Sequence, residues 1–116
     1  MTVLHGTGAE RIVQERQRQI AKEGWSEAHD DEHGDASLAW AAVCYAAPAE
    51  VFVRRPLDEG GEYIDAWPES WDTTWDKRPA PTSRESVNAA RRIRALEKAG
   101  ALIAAEIDRL LRLGAG

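Results

Sequence analysis

The sequence predicts a mainly α-helical protein with three principal helices and a long, irregular, Trp-rich connection, assembled as an oligomer through its last helix. Three observations support this fold class: a capping box, an apolar alanine-rich run, and a long stretch with apolar residues every three or four positions. At 116 residues we expect a single helical domain, residues 1–116, with the irregular insertion at about residues 48–83.

The first helix is predicted from its end signals. Thr7 and Glu10 form a capping box, and Gly24 is a typical residue after a helix C-terminus, so the helix should run to about Lys22. Most of its circumference is polar, which indicates a surface helix or one that faces a wet cleft. Its thin apolar stripe consists of Ala9, Ile12, Val13 and Ile20.

The second helix should begin after an N-cap at Asp35, run from Ala36 to Ala47 and end at Pro48. Because it is apolar almost all round, it belongs in the middle of the fold. In the connection that follows, residues 51–53 could form a short strand or an extended arm, and residues 58–61 read as a turn. Three indoles spaced four residues apart would share one face of a helical turn: Trp67, Trp71 and Trp75.

The last helix should start after a capping box at residues 82–85 and run from about Ser83 to Leu113. A helix of about 40 Å is longer than a domain of this size can cover, so we expect contact with a second subunit. Gly100 indicates a close helix crossing. The positions expected to point inward are Val87, Ala90, Ile93, Leu96, Gly100, Ile103, Ile107 and Leu110.

Composition excludes some classes of function. The net charge of −5 argues against general binding to duplex nucleic acid, whose affinity comes from neutralising phosphates. No apolar run has the length of a membrane span, and no signal peptide is evident. The single Cys44 fits a reducing compartment, so we expect the cytoplasm of a bacterial host.

A divalent-metal site is one interpretation of residues 23–35, EGWSEAHDDEHGD. On one helical turn, His29 and His33 would face the same way, and carboxylates between them would suit Mg²⁺. The alternatives are direct contact with a ligand and a polar connector whose acids cap the second helix. The candidate metal ligands are His29, Asp30, Asp31, Glu32 and His33.

A nucleotide site is the other interpretation, because the chain has five tryptophans and basic residues adjoin them in sequence. Indoles can stack on a base, and arginines can neutralise phosphates. The alternative is that the tryptophans are core packing and the arginines pair with surplus acids. No Gly-rich phosphate loop or activated nucleophile is evident, which favours binding over catalysis. The candidate ligand-binding residues are Trp25, His29, His33, Trp67, Trp71, Trp75, Arg84 and Arg91.

Four segments resemble a group of small proteins encoded by phage and prophage genomes: residues 15–25, 29–46, 67–75 and 98–110. Ala28 departs from that group, which tends to have a glutamate there. A fainter resemblance is to the all-α MazG-type nucleoside triphosphate pyrophosphatases, which hold Mg²⁺ with carboxylates, although their ExxE…ExxD spacing is not reproduced. The residues that this second resemblance implies as Mg²⁺ ligands are Glu15, Asp30, Asp31, Glu32 and Glu106.

The grouping of tryptophans and arginines, the absence of a clear catalytic set and these resemblances lead to three functional hypotheses. The first is a phage-type protein that sequesters a cyclic or ADP-ribose-type nucleotide signal of host defence without turnover. The second is a Mg²⁺-dependent nucleotide pyrophosphatase that uses the acids of residues 29–33. The third is an inhibitor of a host enzyme that binds its target through the Trp-rich segment.

Overall fold

The computed structural model describes residues 6–48, 50–57, 60–68, 70–71, 75–78 and 89–114. Within these residues the chain is mainly helical, as predicted, and a two-stranded sheet accompanies the helices. No helix among them is long and apolar enough to cross a membrane. The elements, in chain order, are α1 (Gly8–Glu23), α2 (Glu27–Asp31), α3 (Ser37–Ala46), β1 (Phe52–Leu57), β2 (Gly60–Asp65) and α4 (Ala89–Arg112).

Helix α1 begins and ends as its sequence predicts. The Thr7 side chain accepts a hydrogen bond from the backbone N–H of Glu10, and the Glu10 side chain accepts one from the backbone of Thr7. At the other end Gly24 has a φ of 69°, the left-handed conformation that glycine adopts without strain. Both end signals are therefore confirmed.

The segment between α1 and α3 contains a helix that was not predicted. Ser26 caps α2 by accepting a hydrogen bond from the backbone N–H of His29 at 3.2 Å. The predicted N-cap of α3 is wrong by one residue, because Ala36 occupies that position with a φ of 66°. Asp35, one residue before the N-cap, still accepts a hydrogen bond from the backbone N–H of Ser37 at 3.1 Å. Its side chain therefore pairs with one of the free backbone N–H groups in the first turn of α3.

A β-hairpin forms the first part of the connection. Strands β1 and β2 pair antiparallel, with Phe52 opposite Asp65 and Leu57 opposite Gly60. The sequence indicated a strand or an extended arm at residues 51–53 but not its partner. The turn expected at residues 58–61 falls partly on residues 58–59, which lie outside the described residues.

Helix α3 packs against α4, but it is not covered on all sides as its composition predicted, because Trp40 and Val43 are each 43% exposed. Small side chains on both helices allow this close approach, since alanine keeps the backbones near each other. Trp71 from the connection covers one side of the contact. The buried core consists of Leu38, Ala41, Ala42, Tyr45, Trp71, Ala99, Leu102 and Ala105.

Within a single chain, much of the face of α4 that was predicted to point inward is exposed. Leu96, Ile103, Ile107 and Leu110 were expected to point inward, yet they are between 40% and 52% exposed. Helix α4 carries two apolar faces, and the one with smaller residues packs on α3 because alanines permit the closer contact. The capping box at residues 82–85 and Val87 lie outside the described residues.

Candidate functional site

Six of the predicted ligand-binding residues come together in space. With Tyr45 they form a contiguous group of rings, here called the aromatic cluster: Trp25, His29, His33, Tyr45, Trp67, Trp71 and Trp75. The ring of Trp25 stacks on that of His29 at a centroid distance of 5.2 Å. Trp71 lies at the centre of the cluster and meets both Trp67 and Trp75 edge-to-face at 5.5 Å. The three evenly spaced indoles therefore lie together. Residues 72–74 lie outside the described residues, so the helical turn predicted for these indoles stays a prediction.

Asp30 positions the α2 side of this cluster. Its carboxylate is fully buried, accepts a hydrogen bond from Arg16 Nη2 at 2.6 Å, and lies 3.1 Å from His29 Nδ1. The Arg16 contact ties α2 to α1, and the His29 contact fixes the ring that stacks on Trp25. A buried carboxylate needs such partners, because an isolated charge in the interior is costly.

Tyr45 anchors the end of the Trp-rich connection. Its hydroxyl accepts a hydrogen bond from the backbone N–H of Lys77 at 3.0 Å and donates one to the carbonyl of Trp75 at 3.4 Å. Burial raises the pKa of this phenol, so it stays neutral and can both donate and accept. The anchor holds Trp75 and Lys77 beside α3.

A pocket of about 340 Å³, here called the α1–α4 pocket, opens beside the cluster. Helix α1 supplies one wall, α4 the opposite wall, and Tyr45, Trp75 and Lys77 the third side. It thus joins aromatic surface to charged groups in one concave site. Its lining residues are Glu15, Arg18, Gln19, Glu23, Trp25, Tyr45, Trp75, Lys77, Lys98 and Leu102.

The acidic residues of the pocket are bound to arginines. Arg18 donates to both carboxylate oxygens of Glu15, at 2.8 and 2.9 Å, and also to Glu23. Arg94 donates to Glu15 from α4 at 2.6 Å. Burial alone would raise the pKa of Glu15, but the hydrogen bonds from Arg18 and Arg94 outweigh it, and the net pKa is lowered. Glu15 is therefore ionised at neutral pH, and both acids are occupied by arginines.

Lys98 differs from these paired groups. Its ammonium lies 5.6 Å from the centroid of the Tyr45 ring, and it forms no ion pair with a described residue. Burial, together with the positive charge of Arg94, lowers the pKa of Lys98. An anion placed beside this ammonium would relieve that positive potential. Lys98 is thus a pocket cation whose ammonium can contact an anion placed in the pocket.

The two remaining predicted ligand-binding residues are arginines. Arg91 is exposed on α4 and does not line the α1–α4 pocket, and Arg84 lies outside the described residues. The guanidinium that does contact the cluster belongs to Arg78, 4.8 Å from the Trp67 ring centroid. Asp65 and Asp76 both accept hydrogen bonds from Arg78, so its charge is already balanced.

The candidate metal ligands do not converge. Asp30 pairs with Arg16 of α1, and Asp31 pairs with Arg112 of α4 at 2.7 Å. His29 and His33 do approach each other, at a ring-centroid distance of 4.8 Å. Across the described part of the chain, no group of three or more His, Cys, Asp or Glu side chains is arranged to hold a metal ion. A Mg²⁺ site at residues 29–33 stays a prediction.

Several pocket residues were not predicted as site residues, among them Arg18, Gln19, Tyr45 and Lys98. Glu15 and Gln19 are one turn apart on α1, and both are almost fully buried. Polar residues on the inner face of a helix with a thin apolar stripe indicate a polar contact, which here is with Arg94 of α4.

No family model, curated protein or solved structure was found to match this chain. The resemblances to the phage protein group and to the MazG-type pyrophosphatases stay predictions. The function is therefore argued from the pocket and its residues.

Proposed function

We propose that this protein binds a small nucleotide in the α1–α4 pocket and holds it without turnover. The observation that supports this is the pairing of Trp25 and Trp75 with Lys77 and Lys98 around one pocket of about 340 Å³. Stacking of a base on an aromatic ring contributes about 1–3 kcal/mol, and lysines bind phosphate as point charges. The two kinds of surface together match the two ends of a nucleotide.

The pocket volume limits the size of the ligand. Small-molecule sites span roughly 300–1,000 Å³, so a pocket of about 340 Å³ suits a mononucleotide. An ADP-ribose-type ligand or a cyclic dinucleotide would place one nucleotide unit in the pocket and the other over its rim. With the resemblance to phage proteins, this supports sequestration of a nucleotide signal of host defence.

Binding without turnover is favoured because the acids in and near the pocket are paired with arginines. Glu15 and Glu23 are held by Arg18, and the Asp30 carboxylate by Arg16. Each would have to leave its arginine before it could hold Mg²⁺ against a triphosphate. The Mg²⁺-dependent pyrophosphatase remains the alternative hypothesis, and the same experiment tests it.

The experiment is calorimetric titration with AMP, ADP, ADP-ribose and cyclic dinucleotides, with and without Mg²⁺, followed by heat denaturation and chromatography. We expect at least one nucleotide to bind and to be released intact. New products that require Mg²⁺ would instead establish the pyrophosphatase. An absence of binding across the panel would overturn the proposal.

Two matched pairs of variants locate the site. Trp75→Leu should weaken binding about fivefold or more, as expected from the loss of one stacking contact, whereas Trp40→Leu should not. Both indoles are similarly exposed, at 39% and 43%, but only Trp75 lines the pocket. Lys98→Met should weaken binding of phosphorylated ligands, and Lys22→Met, on the exposed end of α1, serves as its control.

We also propose that two copies associate through the exposed stripe of α4: Leu96, Ile103, Ile107 and Leu110. Successive members of the stripe are seven, four and three residues apart, which fits the heptad repeat of paired helices. Arginines lie at both ends of α4, with Arg109 and Arg112 in its last turn, and Glu106 is already paired with Arg109, so charge does not favour one orientation of the two helices. A second copy of this chain therefore fits the stripe in spacing.

A further inference from the structure

Lys98 differs in its surroundings from the other two lysines of the chain. Lys22 and Lys77 are exposed, whereas Lys98 is partly buried in the wall of the α1–α4 pocket. Its Nζ atom lies 5.6 Å from the centroid of the Tyr45 ring, which lines the same pocket. Within the described residues, Nζ has no hydrogen-bond partner, yet it is not one of the unpartnered side-chain atoms that are closed off from solvent. A molecule in the pocket can therefore reach it.

The charged groups around Lys98 leave its amine without a counter-ion. Glu15 and Glu23 of α1 are both held by Arg18, and Arg94 of α4 donates to Glu15 at 2.6 Å. Burial, followed by the positive charge of Arg94, lowers the pKa of Lys98. Arg18 acts in the same direction, and the two acids act against it. A larger share of this amine is therefore unprotonated than it would be on an open surface.

An unprotonated lysine amine is a nucleophile toward a carbonyl carbon. The lone pair of its nitrogen attacks the carbon, and the carbonyl oxygen leaves as water with the two protons of the amine. A C=N bond then stands where the C=O bond was, and the step needs no oxidant, reductant or metal. Lysines that form such imines are typically desolvated or placed beside another cation, and Lys98 meets both conditions.

We propose that Lys98 Nζ forms a reversible imine with small phosphorylated aldehydes that enter the α1–α4 pocket. The other surfaces of the pocket fit such a ligand, because Trp25 and Trp75 offer aromatic faces and Lys77 offers a positive charge for the phosphate. A pocket of about 340 Å³ has room for a ring that carries an aldehyde and a phosphate. The inference uses the same pocket as the proposed nucleotide binding, but it does not require that a base be bound.

Pyridoxal 5′-phosphate is a suitable probe, because it combines a ring, an aldehyde and a phosphate. The natural chain is incubated with a small amount of probe at neutral pH and reduced with borohydride, and the labelled lysines are identified by peptide mass spectrometry. We expect about tenfold more label on Lys98 than on Lys22 or Lys77, because a pocket that holds the aldehyde beside the amine raises its effective concentration. Label spread evenly over the three lysines would overturn the proposal.

Pyridoxamine 5′-phosphate, which has no aldehyde, tests whether the labelling takes place in the pocket. An excess of it should protect Lys98 and leave the labelling of the exposed Lys22 unchanged. Labelling of Lys98 that is not reduced by this competitor would overturn the proposal, because the aldehyde would then react without first binding in the pocket.

Lys98→Arg provides a second test, because it keeps the positive charge and removes the amine. The variant should lose most of the visible absorbance of the imine, whereas Lys22→Arg, on the exposed end of α1, should keep it. Unchanged absorbance in Lys98→Arg would contradict the role of Lys98. Even labelling of the lysines in a chain that binds AMP would overturn the imine alone. Selective labelling of Lys98 in a chain that binds no nucleotide would overturn the proposed function alone.

Discussion

A Cβ atom on Gly100 would lie 2.5 Å from Cδ1 and 2.6 Å from Cγ1 of Ile12, so α4 crosses α1 at a point where only glycine fits. The sequence predicted a close crossing at Gly100, and the structure shows that the crossing partner is α1 of the same chain. Because two atoms of Ile12 are involved, rotation of its terminal methyl alone would not relieve the clash.

Gly100→Ala should therefore destabilise the protein by about 2 kcal/mol, because contacts of 2.5 and 2.6 Å put the overpacking near the upper end of its range. Overpacking typically costs about 1–3 kcal/mol, and the better helix propensity of alanine offsets about 1 kcal/mol of it. Urea denaturation measures the free energy of unfolding. Gly8→Ala is the matched control, since a Cβ there meets nothing within 4 Å. A Gly100→Ala protein as stable as the natural chain would show that α1 and α4 do not cross this closely.

Features set by neighbours in sequence were predictable, and features set by packing partners were not. The ends of α1 depend on Thr7, Glu10 and Gly24 alone, and all three act as predicted. Helix α4 instead has two apolar faces, and the choice between them depends on how closely α3 can approach. The spacing of Trp67, Trp71 and Trp75 predicted only that these three indoles would lie near one another. Their contacts with Trp25 and His29 depend on how the connection packs beside α2. Burial of Gln19 could not be predicted, because it needs Arg94, 75 residues further along the chain, to balance Glu15.

Asp30→Asn should destabilise the fold by about 3–5 kcal/mol, because it leaves the Arg16 guanidinium without its counter-charge in a mostly buried position. Asp31→Asn is the control: its carboxylate is half exposed, and its pair with Arg112 should contribute no more than about 1 kcal/mol. Thermal unfolding followed by circular dichroism measures both. Equal, small losses in the two variants would mean that Asp30 does not tie α2 to α1.

His33 should make stability depend on pH in the mildly acidic range. Burial, with the nearby His29, lowers the pKa of His33 below its usual 6.5, against the opposing pull of Asp35, Asp30 and Glu32. The unfolded chain then binds a proton more readily than the folded one, so this contribution to stability is present above about pH 6.5 and lost as pH falls through the folded pKa.

His33→Asn should make the stability of the protein depend less on pH in this mildly acidic range. Denaturant midpoints measured at intervals from pH 7.5 to pH 5, for the natural chain and the variant, give the comparison. Indole fluorescence is a suitable probe, because the His33 ring lies 5.3 Å from that of Trp71. A natural chain whose midpoint does not decline more steeply than that of the variant would contradict this role.

Tyr45→Phe should loosen the Trp-rich connection. Without the hydroxyl, the Lys77 N–H and the Trp75 carbonyl both lose a partner, at a cost of about 0.5–1.5 kcal/mol per hydrogen bond. Hydrogen exchange of the Lys77 amide should accelerate, and nucleotide affinity should fall because one pocket wall is less ordered. Tyr63→Phe, on an exposed residue of β2, is the control. Unchanged Lys77 exchange would show that the hydroxyl does not anchor this segment.

The exposed stripe of α4 leads to the last prediction, a concentration-dependent dimer. Ile103 is 49% exposed within one chain, so a charged residue there should be tolerated by the isolated fold. In a dimer the same charge would be buried without a partner, which is strongly unfavourable. Ile103→Glu should therefore shift sedimentation from dimer to monomer while leaving the circular dichroism spectrum unchanged. Val43→Glu, at a similarly exposed apolar residue on α3, should remain dimeric, since it lies away from the stripe. A natural chain that sediments as a monomer at all concentrations would contradict the self-association of α4.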